Sequence, residues 1–72
     1  MKTSDMGLAV TLMTLGHDMQ SVDATRTRAE FLFEDSSELE KHVSDFRNRK
    51  LRIEPNKFLI NFKLVKNQLY NN

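Results

Sequence analysis

Residues 27–46 read TRAEFLFEDSSELEKHVSDF, and this stretch decides the fold because its hydrophobic period changes near its centre. Its first seven residues alternate in character, with Thr27, Ala29, Phe31 and Phe33 in one set and Arg28, Glu30 and Leu32 in the other. A period of two with aromatic side chains is typical of a half-buried strand. Residues 22–27 connect this strand to an upstream segment that contains Met19 and Val22, so we predict an antiparallel hairpin.

The second half of the stretch predicts a helix over about Ser37 to Asn48. Leu39, Val43 and Phe46 recur at i, i+4 and i+7 and form one narrow apolar stripe. Two overlapping capping boxes precede the stripe, Asp35 with Glu38 and Ser37 with Glu40. Acidic residues in the first turn and basic residues at the end both suit the helix dipole.

On the N-terminal side, the sequence predicts a mostly buried helix over about Asp5 to Leu15. Residues 3–5 offer three N-cap side chains, and Gly16 is the usual residue for a left-handed stop. Leu8, Ala9 and Leu12 belong to an apolar surface that covers more than half of the helical circumference.

On the C-terminal side, Leu51-Arg52-Ile53 alternates and is a candidate third strand, and Pro55 suits the first position of a helix that runs to about Tyr70. The main apolar stripe of that helix consists of Phe58, Phe62, Val65 and Leu69, widened by Leu59 and Tyr70. Ile60 and Leu64 fall on the opposite face. The predicted fold is therefore α+β, with helices packed on one face of a small antiparallel sheet in the order α-β-β-α-(β)-α.

Composition sets limits on the class of protein. The chain has 72 residues, 11 basic and 10 acidic side chains and a net charge of +1, which favours one small globular domain over residues 1–72. It has no cysteine, so disulfides, thiolate metal sites and thiol chemistry are excluded. So small a core is marginal, and a partner or a homodimer would supply further burial. The apolar run Met6–Leu15 is too short to span a bilayer, and we expect a cytoplasmic protein.

Neither of two common catalytic arrangements is present. Gly7 and Gly16 are nine residues apart and make no phosphate-binding loop. His17 and His42 are the two histidines, and neither lies near a serine-hydrolase motif. We therefore expect no catalytic residues, no cofactor and no enzyme activity.

Enzyme activity in this chain would require a metal site. His42 and Asp45 are spaced i, i+3 and could face one ion, with His17-Asp18 as a second arm. Since His42 also borders the apolar stripe of its helix, a half-exposed boundary residue is the favoured interpretation. We therefore predict no metal ligands.

Charge is distributed unevenly along the chain. Residues 1–40 hold three basic and eight acidic side chains, whereas residues 41–66 hold eight basic and two acidic ones. The candidate nucleic-acid contacts are Arg47, Arg49, Lys50, Arg52, Lys57, Lys63 and Lys66. Such a patch could follow a phosphate backbone. Alternatively, the basic residues form a solvated face that complements the acidic half, within one molecule or between two.

Ile60 and Leu64 suggest a second contact surface, for self-association or for docking on a larger protein. Residues 55–72 lack acidic side chains, but we expect the main stripe of this helix to lie in the core rather than on a membrane. We favour protein interaction as the function of this surface.

One set of positions spans nearly the whole chain: Thr3-Ser4-Asp5 with Ala9, Leu12 and Gly16, then Phe31-x-Phe33-Glu34-Asp35 with Leu39, Val43 and Phe46, then Leu51-Arg52-Ile53-x-Pro55 with Phe58, Lys66 and Tyr70. This pattern resembles a short uncharacterised domain family of prokaryotic, phage and mobile-element proteins. Similar members have Asp before the proline, where this chain has Glu54, a poorer N-cap. The resemblance implies a fold and a setting in a phage or similar element, but no activity.

From these observations we expect a non-catalytic accessory protein that binds a larger protein, for example a nucleic-acid-processing enzyme, through Ile60 and Leu64. The alternative is a small nucleic-acid-binding protein, as a monomer or a homodimer, that uses the basic residues between positions 47 and 66.

Overall fold

The computed structural model describes residues 1–25 and 27–70 and confirms a small α+β domain. Its elements in chain order are β1 (Lys2–Thr3), α1 (Met6–Thr14), β2 (Met19–Asp23), β3 (Glu30–Phe33), α2 (Ser37–Arg47) and α3 (Pro55–Tyr70). The three predicted helices and the predicted hairpin are all present. Among the described residues, no helix combines the length and the apolar character that a membrane crossing requires.

The sheet has three antiparallel strands in the order β1-β3-β2. Phe31 of β3 lies opposite Thr3 on one side and Val22 on the other. The register of β2 shifts by one residue between Met19 and Ser21. The two strands of the hairpin are therefore the predicted ones, and β3 is central.

The third strand is β1, so the prediction of a strand at Leu51–Ile53 is wrong. Both edges of β3 are already paired, by β1 and β2, and the Phe33 N–H donates to the Met1 carbonyl just before β1. Leu51 and Ile53 are half-buried and border a depression with Thr11 and Phe46. Their alternation thus reflects a connector whose apolar side chains are half-buried although it forms no strand.

The hairpin connection is longer than the alternation predicted. Residues 27–29 precede β3 instead of belonging to it, and the Asp23 carboxylate accepts hydrogen bonds from the backbone N–H and the hydroxyl of Thr25. The predicted turn over residues 22–27 includes Arg26, which lies outside the described residues.

The hydrophobic core forms between α1 and the inner face of the sheet. Its fully buried members are Leu8, Ala9, Val10 and Leu12 of α1, Phe31 and Phe33 of β3, Leu39 of α2 and Val65 of α3. Because α1 contacts both other helices as well as β1, it lies at the centre of the domain. This confirms that the first helix is mostly buried.

The N-cap of α2 differs from both predicted capping boxes. The Ser36 hydroxyl accepts the Leu39 N–H at 3.0 Å, and Ser36 has the extended backbone of an N-cap residue. The Asp35 carboxylate instead lies 3.0 Å from the amino group of Met1. Asp35 therefore contributes to the pairing of β1 with β3, while the next residue caps the helix.

Candidate functional site

The orientation of α3 is set by a few inward contacts. Val65 is fully buried, and the Asn61 side-chain amide donates to the Thr14 hydroxyl of α1 at 3.1 Å. Phe58 and Phe62 are half-buried on the same side, with ring centroids 6.1 Å apart. Residues on the opposite side of α3 therefore face solvent.

Ile60 and Leu64 lie on that opposite side, with 60% and 53% of their surface exposed. The sequence-based prediction that they lie outside the core is confirmed. Leu59 and Tyr70, which we predicted to widen the core stripe, are also exposed, at 54% and 76%. At 100° per residue they fall on the flank of the helix between the core stripe and Ile60.

The seven candidate nucleic-acid contacts are all exposed. Arg47 borders a depression formed by α2 and β1, whereas Arg49 borders a different one formed by α1, the end of α2 and the following connector. Lys57, Lys63 and Lys66 project from α3 around its exposed face. Arg47 and Arg49 therefore border separate depressions, and at 100° per residue Lys57 and Lys63 flank Ile60 and Leu64 while Lys66 lies beside Leu59.

The first turn of α3 is capped by Glu54. Its two carboxylate oxygens accept the N–H groups of Lys57 at 2.7 Å and Asn56 at 3.1 Å. These two hydrogen bonds, that from Lys57 foremost, hold the pKa of Glu54 below its ordinary value. Glu54 thus serves as the N-cap although it is a less favourable residue type than Asp.

A second cluster forms where α1 ends. Gly16 has a left-handed backbone with φ 100°, and the His17 N–H donates to the Leu12 carbonyl at 3.0 Å, while the Gly16 N–H donates to Met13. This is the Schellman arrangement, so the predicted stop at Gly16 is confirmed. It places His17 immediately after the helix, beside α2.

His17 and His42 come into direct contact. The Nε2 atom of His17 lies 2.7 Å from the Nδ1 atom of His42, and the two rings meet edge to face with centroids 5.0 Å apart. One ring must donate its N–H while the other accepts with its lone pair. Both side chains are half-buried, as we expected for His42.

Glu38 completes the cluster from one turn earlier on α2. Its carboxylate and the two imidazoles each offer one ligand atom, and all three atoms lie within 4.8 Å of one another. Neither Asp45 nor Asp18, the carboxylates considered from the sequence, belongs to this group. The reason is directional: side chains on a helix lean toward its N-terminus, so His42 leans toward Glu38 and away from Asp45.

A small α+β domain with a solvent-facing basic and apolar helix is the class that this fold and these surfaces define. More particularly, a family model matches residues 1–71, and the chain belongs to that family, described as Domain of unknown function (DUF5659). This agrees with the resemblance to an uncharacterised short domain family. No curated protein and no solved structure matches the chain.

Proposed function

We propose that this protein is a non-catalytic accessory protein that binds a larger protein through the outer face of α3, defined here as Leu59, Ile60, Leu64 and the lysines around them. The setting we propose, from the family resemblance, is the cytoplasm of a cell that carries a phage or mobile element. The observation that carries the proposal is the exposure of Ile60 and Leu64, one helical turn apart, on a helix whose other face is fully used by the core.

Exposed aliphatic side chains at i and i+4 form a contiguous patch, and such patches mark interaction surfaces more often than scattered ones do. Leu59 extends the patch along one flank of the helix. An apolar groove on the partner would bind α3 as an amphipathic helix, with the side chains of Ile60 and Leu64 as anchors.

The charge on α3 indicates which side chains a complementary partner surface would carry. α3 carries Lys57, Lys63 and Lys66 and no acidic side chain. A complementary partner therefore presents an apolar groove with carboxylates at its rim, since matched charges steer association and like charges oppose it. A nucleic-acid-processing enzyme is one candidate for such a partner.

The test places a photo-crosslinking residue at position 60 of the full chain in cells that carry the natural genetic element. Adducts are identified by mass spectrometry. We expect one protein adduct that is lost with Leu64→Ser and weakened by Lys63→Glu. A crosslinker at exposed Lys41 of α2 is the matched control and should not give this adduct.

Circular dichroism of Leu64→Ser should show an unchanged fold, because the side chain is more than half exposed. Adducts only with a second copy of the chain would replace the proposal with self-association. Equal adducts from positions 60 and 41 would refute the proposed surface.

The rival function, nucleic-acid binding, is supported by the exposure of all seven candidate basic residues. Light scattering with a short DNA duplex separates it from protein binding, because phosphate contacts weaken steeply between about 50 and 200 mM salt. Mass gained at low salt and lost on Arg47→Ala and Arg49→Ala would favour the rival. We expect no gain, since these two arginines border separate depressions.

A further inference from the structure

We propose that His17, Glu38 and His42 form a binding site for a divalent transition-metal ion of the zinc type. The site is distinct from the outer face of α3 and shares no residue with it. Its three donors come from two places in the chain that the fold brings together, the residue after α1 and two consecutive turns of α2.

The donor set is appropriate for such an ion. Two imidazole nitrogens with one carboxylate oxygen are the ligands of many zinc sites, and imidazole also suits Cu²⁺, Ni²⁺ and Fe²⁺. Hard ions such as Mg²⁺ prefer all-oxygen sites. The ligands therefore select a transition metal over the abundant alkaline-earth ions.

The distances also fit. A tetrahedral ion with bonds of about 2.0–2.1 Å holds its ligand atoms about 3.4 Å apart. The two imidazole nitrogens face each other at 2.7 Å, and all three donor atoms lie within 4.8 Å. The required separation lies between these values, so the donors need only small side-chain rotations, and the histidine–histidine hydrogen bond is exchanged for two metal bonds.

Each ligand is held by local backbone structure. The Schellman turn at Gly16 fixes the backbone of His17, and Glu38 and His42 are spaced i, i+4 on one face of α2. Carboxylates of Asp18 and Glu34 border the depression beside His17 and add a negative potential that favours a cation, whereas Asp35 at the same depression is paired with the Met1 amino group. Glu38 is exposed and both rings are half-buried, so the fourth coordination position is open to water.

An ion in this position would join the α1–β2 turn to α2. Binding to the folded chain alone stabilises it in proportion to the logarithm of the free ion concentration. A chain of this size without cysteines has few other cross-links available. We therefore expect the bound ion to hold the α1–β2 turn against α2 while its fourth coordination position stays open to water.

Calorimetric titration of the tag-free full chain with zinc chloride tests the site. We expect a stoichiometry of one ion per chain, a loss of binding in His17→Gln and in His42→Gln, and a rise of the thermal midpoint with zinc that both variants lack. Visible absorption of the Co²⁺-loaded chain should report a four-coordinate ion with nitrogen ligands.

Comparison of Glu38→Gln with Glu40→Gln separates the loss of a ligand from a folding defect. Both glutamates are exposed and lie in the first turn of α2, so the two substitutions should affect folding alike. Glu38→Gln should weaken zinc binding more than about tenfold, since changing even an outer-shell partner costs about 10–100-fold. Glu40→Gln and Asp18→Asn should leave it unchanged. Absence of zinc binding, equal weakening by both glutamate variants, or one ion shared by two chains would each overturn the proposal.

Discussion

Two of the three helices end in the same backbone turn but carry different residues at its left-handed position. After α1 this residue is Gly16, with φ 100°, and after α2 it is Arg49, with φ 59°. Each turn is closed by equivalent hydrogen bonds, from His17 to Leu12 at 3.0 Å and from Lys50 to Asp45 at 2.9 Å. Because glycine alone adopts this conformation without a steric cost, Gly16→Ala and Arg49→Gly should change stability in opposite directions.

The magnitude follows from two opposing terms. A side chain with a Cβ pays roughly 1–2 kcal/mol in the left-handed region. Glycine has the larger entropy in the unfolded chain, which offsets about 0.4–1 kcal/mol of that difference. A Cβ at Gly16 would meet no atom within 4 Å, so no clash adds to the conformational term. We expect Gly16→Ala to destabilise the domain by about 0.5–1 kcal/mol and Arg49→Gly to stabilise it by a similar amount.

Thermal unfolding followed by circular dichroism near neutral pH measures both changes. A free-energy change of about 1 kcal/mol moves the midpoint by roughly 4–8 °C in a domain of this size. Lys50→Gly is the matched control, because Lys50 lies next to Arg49 but has no positive φ and should gain nothing. If Arg49→Gly lowered the midpoint, or if both substitutions moved it in the same direction, the reasoning from backbone conformation would be refuted.

Two further predictions concern α3. The pKa of Glu54 is lower in the folded chain than its ordinary value, so its contribution to stability is present above the ordinary pKa and is lost as the pH falls through the folded pKa. Glu54→Gln should therefore lower the thermal midpoint near pH 7. Chemical denaturation at decreasing pH should show that the difference in free energy of unfolding between this variant and the unchanged chain disappears in the acid range. A difference that stays constant with pH would contradict the capping role. Val65 is fully buried whereas Leu64 is 53% exposed, so Val65→Ala should cost about 2 kcal/mol and Leu64→Ala less than about 1 kcal/mol. Urea unfolding of the two variants measures both values, and equal costs would mean that Leu64 contributes to the core.

Much of the fold was accessible from the sequence because hydrophobic period, caps and stops agree for most elements. Of the three N-cap candidates at residues 3–5, Asp5 caps α1, with its carboxylate accepting the Leu8 N–H at 3.1 Å. The third strand was not accessible, because two residues at Lys2–Thr3 carry no period. The alternation at Leu51–Ile53 was misleading because a connector in which half-buried and exposed side chains alternate produces the same pattern as a strand.

Exposure on α3 was predicted only in part. Ile60 and Leu64 lie directly opposite the core stripe, so the helical wheel sufficed to place them. Leu59 and Tyr70 lie near the boundary, where burial depends on how far the neighbouring helix reaches. That distance is a tertiary quantity and leaves no signal in the sequence of α3 itself.

The histidine cluster shows that spacing in the sequence does not give the direction in which a helical side chain points along the helix axis. The spacing of His42 to Asp45 and that of Glu38 to His42 both place two donors on one face of α2, so periodicity cannot choose between them. The choice is made by the lean of helical side chains toward the N-terminus, which aims His42 at Glu38 and at the turn that carries His17. Direction along the helix axis, as well as angle around it, must therefore enter any prediction of paired ligands. With both included, the spacing Glu-x-x-x-His would have paired Glu38 with His42, whereas the approach of His17, which precedes both in the chain, is a tertiary contact.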